Sequence, residues 1–111
     1  MDNKVLKWLE DIINCIDEIF DFLPTERNFL IYQSDLKTKK AVERNIEIIG
    51  EAVKRILNEY PDFPITNARR IVDTRNRIIH GYDTISDEII WSIIMNELPE
   101  LKTEVSRLIH S

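Results

Sequence analysis

The chain has 111 residues, of which 43% are hydrophobic and 32% are charged, and its formal net charge is −5 at pH 7. This length and composition predict one globular domain covering residues 1–111 and exclude a disordered or fibrous protein. The acidic balance excludes binding of nucleic acid by bulk attraction, so any contact with RNA has to be local. No apolar run approaches the roughly 20 residues that span a bilayer, so we expect a cytosolic protein that does not bind membranes.

The first half of the chain is expected to form two long helices. Apolar residues recur at helical spacing over residues 2–22, and Pro24 follows as a break. Cys15, the only cysteine, excludes an intramolecular disulfide and is expected in the core beside this stripe. A second helix is expected from about Ser34 to Tyr60. It contains Gly50, which costs about 1 kcal/mol against alanine and therefore indicates the close approach of a neighbouring helix.

The second half is expected to contain shorter helices. A third helix should run from about residue 65 or 66 to His80, where Gly81 can adopt the left-handed conformation that closes a helix. Ser86 is expected to cap a fourth helix, and Pro99 fits the first turn of a last helix over residues 99–110. The predicted fold is therefore all-α, an up-and-down bundle of four to five helices.

The third predicted helix has two unlike faces on a helical wheel. The apolar face contains Ala68, Ile71, Val72, Ile78 and Ile79. Arg75 falls in the middle of that face, and because burial of an unpaired guanidinium is costly, it should have a partner or a task. The opposite face contains Arg69, Asp73, Asn76, Arg77 and His80. On that face Asp73 or Asn76, at helical spacing from His80, can orient its imidazole.

Arg75 and His80 together indicate chemistry on a phosphate. His80 falls in the last turn of the helix among carbonyls without helical partners, which favours the imidazolium and suits general acid–base catalysis. The alternative is structural: Arg75 pairs with a buried carboxylate, and His80 caps its own helix. The two residues are five apart, hence about 140° apart around an ideal helix. A site that uses both needs either a long reach by the arginine or a second copy of the chain, and the second option predicts a homodimer with facing third helices.

A row of carboxylates follows one side of the second predicted helix, where Glu43, Glu47 and Glu51 recur every four residues. Such rows can bind a metal ion. No histidine accompanies this row, and Arg44 and Arg55 lie at pairing distance along the helix. We therefore expect salt bridges here and no metal site.

The segment from Arg75 to Tyr82, RNRIIHGY, resembles the R-x-x-x-x-H-x-Y signature of the HepT-like ribonuclease toxins, a branch of the HEPN superfamily. The run from Ala41 to Ala52 is similar to that family's second helix. Residues 90–91 (IW) and 98–101 (LPEL) are similar to its C-terminal part. The resemblance covers almost the whole chain, in the same order and spacing.

This resemblance implies a HEPN-like homodimer that cuts RNA, with tRNA as one candidate, at the cleft between two copies without a metal or another cofactor. Arg75 and His80 would take the catalytic positions, and Asn76 matches the polar residue that follows the arginine. Tyr82 matches the tyrosine to which the cognate antitoxin, a minimal nucleotidyltransferase of the MntA type, adds AMP. The implied function is an endoribonuclease toxin of a toxin–antitoxin system.

Two other functions remain open from the sequence. The chain could be a non-catalytic subunit that binds a nucleotide or a substrate for a nucleotidyltransferase, with Arg75 and His80 gripping phosphates. It could also be a purely structural helical dimer. For Tyr82, the alternative to modification is an interfacial tyrosine with a hydrogen-bonded hydroxyl.

Overall fold

The computed structural model describes residues 1–81 and 85–111, and all regular structure in these two segments is helical. The α-helices are α1 (Asn3–Phe22), α2 (Phe29–Ser34), α3 (Leu36–Glu59), α4 (Ala68–His80), α5 (Asp87–Ser92) and α6 (Leu98–His110). A π-helical turn, Ile93–Glu97, joins α5 to α6. The prediction of an all-α helical bundle is thus confirmed.

Short polar side chains determine where several helices begin. Ser86 accepts a hydrogen bond from the backbone N–H of Ile89 at 3.2 Å, which confirms it as the cap of α5. Asp35 accepts from the N–H of Thr38 at 3.1 Å and so starts α3. The second predicted helix, placed from Ser34, therefore begins two residues later, and α2 precedes it as a separate short helix. The capping carboxylate at Asp35 is the physical reason for this boundary.

The start of α4 differs from the prediction, and its end agrees with it. The helix begins at Ala68 because Asn67 adopts the left-handed conformation, with φ of 62°. Thr66 lies outside the helix, where its N–H and hydroxyl donate to the carboxylate of Glu104 at 2.8 and 2.7 Å. At the other end, Gly81 has φ of 62° and its N–H donates to the carbonyl of Arg77 at 3.2 Å. Gly81 therefore closes α4 as expected.

The predicted fourth and last helices form one continuous helical segment, Asp87–His110. Pro99 lies in the first turn of α6, as expected, but the chain does not break before it. The N–H of Leu98 donates to the carbonyl of Ile93, five residues back, as in a π-turn. Pro99 has no N–H to donate to the preceding turn of the helix. The wider turn changes the hydrogen-bond register just before Pro99, so the helix continues through the proline.

The core lies where α3 packs against α1 on one side and α4 on the other, with α6 also against α1. The apolar stripe predicted over residues 2–22 supplies five of its most deeply buried side chains, Val5, Leu9, Ile12, Ile16 and Ile19. The others are Val42, Ile49, Val53, Ile56, Ile90, Ile94 and Val105. Within the two described segments, no helix has the combined length and apolarity that a membrane span requires.

Gly50 is the point of closest approach between α3 and α4. A Cβ placed on Gly50 would overlap the Cβ and Cγ of Arg75, and it would lie 3.3 Å from the carbonyl oxygen of Ile71. The neighbouring helix expected from this glycine is therefore α4, and the side chain next to the glycine is Arg75.

Cys15 provides a test of burial in the core. Burial, with smaller contributions from Glu18 and Asp11, raises the pKa of the Cys15 thiol to about 11. The folded protein should react with iodoacetamide at pH 8 at least about tenfold more slowly than the chain unfolded in urea, because the thiolate is the nucleophile. In the unfolded chain the thiol ionises at pH ~8.5, which is below the folded value, so the free energy of unfolding should fall as the pH rises from there through 11. In Cys15→Ala this fall should be smaller. Equal alkylation rates for the folded and unfolded chains would contradict this.

Gly50→Ala should lower the free energy of unfolding by about 1–3 kcal/mol, because the added methyl group would overpack the contact with Arg75. In an open helix the same change stabilises by about 1 kcal/mol, so the sign of the effect is informative. Urea denaturation measures it. Asn58→Ala, on the exposed side of α3, serves as the control and should not destabilise. A Gly50→Ala variant as stable as the unchanged protein would show that α3 and α4 are not in contact here.

Candidate active site

Helix α4 carries the residues that the sequence singled out, and it distributes them over two environments. Arg75 faces α3, and only 17% of its side chain is exposed. His80 and Asp73 lie on the exposed side of the helix, His80 in its last turn. The helical wheel was therefore right about Arg75, which lies among packed residues, and about the divergence of Arg75 and His80.

The apolar face of α4 differs from the prediction at two positions. Thr74 is buried, and its hydroxyl donates to the carbonyl of Arg70 at 2.9 Å, which satisfies the polar group inside the helix. Ile79, expected in the core, is 40% exposed. It lies near the end of α4 at the wall of an open groove, where the neighbouring helices do not cover it.

Arg75 has a carboxylate partner that the sequence reasoning did not identify. Its Nη2 lies 2.5 Å from Oε2 of Glu51 on α3. Its Nη1 donates to Oδ1 of Asn76 at 2.8 Å. The structural alternative for Arg75, in which it pairs with a carboxylate, is thus observed. Asn76, considered as a support for the histidine, supports the guanidinium.

A sequence signal for this partner did exist. Glu51 is adjacent to Gly50, the residue that marks where a helix crosses α3. An acidic residue beside such a crossing is the natural partner for an arginine that arrives there on the other helix. From the sequence, Gly50 indicates only packing, and Glu51 belongs to the row of carboxylates along α3. The two signals therefore have to be combined to identify the partner of Arg75.

Two members of the carboxylate row, Glu47 and Glu51, form salt bridges, as predicted. Glu47 pairs with Arg44 at 3.0 Å, and Oε1 of Glu51 pairs with Nε of Arg55 at 3.3 Å. Glu51 therefore lies between two guanidinium groups, and the trio of Arg55, Glu51 and Arg75 has a net charge of +1. Within residues 1–81 and 85–111, no three His, Cys, Asp or Glu side chains are grouped so that they could hold a metal ion.

A groove of about 320 Å³ opens between α1, α3 and α4, with Arg75 on its wall. Trp8, Ile48 and Ile79 provide apolar surface, and the charged lining consists of three arginines and three carboxylates, namely Arg44, Arg55, Arg75, Asp11, Glu47 and Glu51. An aromatic ring and guanidinium groups around one groove are suited to the bases and phosphates of a single RNA strand. His80 is not among the residues that line this groove.

The structure thus brings Arg75 and Asn76 together at the groove and leaves His80 and Asp73 on another side of the same helix. Tyr82, the residue expected to be modified, lies outside the described residues. In the sequence it follows His80 by two positions, just after Gly81 closes the helix.

Comparison with known proteins agrees with the sequence and the fold. The model of the family described as "Ribonuclease HepT-like" matches residues 12–108. "Putative RNase MJ0127" of Methanocaldococcus jannaschii is 38% identical over 109 residues, which cover 95% of this chain and 87% of that protein. "Probable ribonuclease HepT" of Thermococcus cleftensis is 34% identical over 105 residues, 91% of this chain and 92% of that protein. No solved structure matches the chain significantly. The chain therefore belongs to the HepT-like ribonuclease family.

Proposed function

We propose that this ribonuclease is a metal-independent endoribonuclease toxin of the cytosol, with Arg75 and His80 as its catalytic residues. One observation carries the proposal. In an acidic chain, the guanidinium of Arg75 is held on the wall of an open groove, on the helix that ends with His80. Contacts with described residues engage two of its five N–H groups, so others remain for a phosphate.

These two side chains match the needs of RNA cleavage without a metal. The substrate's own 2′-oxygen bonds to phosphorus, and the bond from phosphorus to O5′ breaks. The proton lost from the 2′-hydroxyl is balanced by the proton that O5′ gains. His80 carries one of these two proton transfers. Arg75 binds the phosphoryl oxygens and stabilises the negative charge that grows on them in the transition state.

Two copies of the chain complete the site in this proposal. Arg75 points toward α3 while His80 lies on the exposed side of α4, so one copy presents them in different directions. The exposed Ile79 beside the groove offers apolar surface for contact with a second α4. His80 of one copy then meets a phosphate held by Arg75 of the other. Asp73, on the exposed side with His80, supports the imidazole.

Arg75→Ala and His80→Ala should each reduce RNA cleavage by about 10²- to 10³-fold, since each removes a transition-state contact. The assay incubates total RNA, with purified tRNA as a separate sample, in the presence of EDTA. His110→Ala is the matched control, because His110 also lies exposed at the end of a helix. Full activity in both active-site variants would refute the assignment, and loss of activity in EDTA would refute metal independence.

The same preparation also tests the alternative function. If the unchanged protein cuts no RNA but binds ATP, and the Arg75→Ala variant does not, the chain is a nucleotide-binding partner of a nucleotidyltransferase. Cleavage of RNA that is lost in His80→Ala supports the proposed endoribonuclease function.

Tyr82 is the proposed site of inactivation by a MntA-type nucleotidyltransferase antitoxin. Each added AMP brings bulk and a negative charge beside a site for phosphate, so RNA should be excluded. With such an antitoxin, ATP and Mg²⁺, the protein should gain the mass of one or more AMP units and lose its ribonuclease activity. Tyr82→Phe should gain no mass and resist silencing. Modification that persists in Tyr82→Phe would place the target at another residue.

A further inference from the structure

Glu51 follows directly after Gly50, the residue of α3 against which the stem of Arg75 packs. Gly50 lets the Cβ and Cγ of Arg75 lie directly against the backbone of α3. The next residue, Glu51, then reaches the other end of the same side chain, with its Oε2 2.5 Å from Nη2. Two adjacent residues of α3 thus hold the base and the tip of Arg75.

The surroundings of this ion pair make it more than a surface salt bridge. Arg75 is largely covered, and its Nε is buried without a hydrogen-bond partner among the described residues. Oε2 of Glu51 is buried too, and its contact with Nη2 is an ion pair without the geometry of a hydrogen bond. An arginine side chain has about 2 kcal/mol of rotamer entropy, and a covered charge without its counterion seeks solvent or another anion. Loss of Glu51 would therefore free the tip of Arg75 to leave its place at the groove.

Glu51 holds Arg75 without cancelling its charge. Its other oxygen, Oε1, pairs with Nε of Arg55 at 3.3 Å, so one carboxylate serves two guanidinium groups. Asn76 fixes a second edge of the guanidinium through Nη1. A phosphate needs two N–H groups for a bidentate contact, and the five of arginine allow this while Glu51 stays in place.

We propose that Glu51 is the positioning residue of the ribonuclease site: from α3 it orients the guanidinium of Arg75 toward the groove and does not itself touch RNA. This inference rests on the proposed catalytic role of Arg75. It assigns a function to a side chain of α3 that lies outside the R-x-x-x-x-H-x-Y segment.

The kinetic test compares Glu51→Ala and Glu51→Gln with the same changes at Glu59. Glu59 is the matched control, because it lies on the same helix, pairs with Lys4 of another helix and has the same side-chain exposure as Glu51, 34%, but is not among the residues that line the groove. Glu51→Ala should lower kcat by about 10- to 100-fold, the usual cost of a misplaced catalytic group, with KM changed less than about twofold. Glu51→Gln should retain more activity, because its amide oxygen still offers the guanidinium of Arg75 a polar contact. The Glu59 variants should cleave RNA like the unchanged protein.

A double-mutant cycle tests whether Glu51 acts through Arg75. In single-turnover assays with excess enzyme, Glu51→Gln should have almost no effect in an Arg75→Ala background. An effect of Glu51→Gln as large as in the unchanged protein would overturn the proposal. So would a Glu51→Ala variant as active as Glu59→Ala. A gain of activity or a lower KM on loss of Glu51 would also overturn it, by showing that the carboxylate competes with RNA for the arginine.

An NMR measurement separates this inference from the proposed function and does not need activity. The Nε–H of Arg75 is buried, so it should give a slowly exchanging ¹H–¹⁵N signal, assigned by its loss in Arg75→Lys. Glu51→Gln should shift this signal and speed its exchange with solvent, and Glu59→Gln should leave it unchanged. If the signal responds in this way while Arg75→Ala still cleaves RNA, the positioning contact stands and the catalytic role of Arg75 fails. If Glu51→Gln leaves the signal unchanged, Glu51 does not position Arg75.

Discussion

The close crossing of α4 over α3 at Gly50 is the contact on which the candidate site depends. Without a side chain at Gly50, the stem of Arg75 lies directly on α3. Because α3 also packs against α1, the arginine tip reaches the groove that these three helices form. The crossing therefore decides both which helix the arginine meets and which carboxylate it finds there, namely Glu51.

Polar contacts near its start help to keep α4 in this position. Near its start, Arg70 pairs with Glu97 at 2.9 Å, and Thr66 is bound by Glu104, so the π-turn and α6 hold the entry to the helix. At its end, Gly81 closes the helix just after the candidate histidine. The net charge of −5 makes the exact position of α4 and its arginine important. An acidic protein cannot collect RNA by bulk attraction, so a few well-placed cations have to do so locally.

Local signals in the sequence were sufficient for much of this structure. Apolar spacing along the chain predicted the long helices, Ser86 predicted a helix start, and Gly81 predicted a helix end. The wheel predicted that Arg75 lies among packed residues, and Gly50 predicted that a helix passes close to α3. Helix ends depend on hydrogen bonds within a few residues along the chain, and a buried helix face repeats at helical spacing, which is why capping residues and periodicity reveal them. Gly50 indicated that a helix passes close by, but not which helix.

Contacts between distant residues were decided only by the tertiary structure. The pairing of Arg75 with Glu51 joins two helices, and the wheel of one helix contains no information about the charges on another. The exposure of Ile79 depends on where the neighbouring helices end, so its apolar character misplaced it in the core. The continuous passage through Pro99 follows from the π-turn before it. The sequence by itself thus determined which residues of α4 are the candidates for its chemistry, and tertiary packing decided what holds Arg75 and which way it faces.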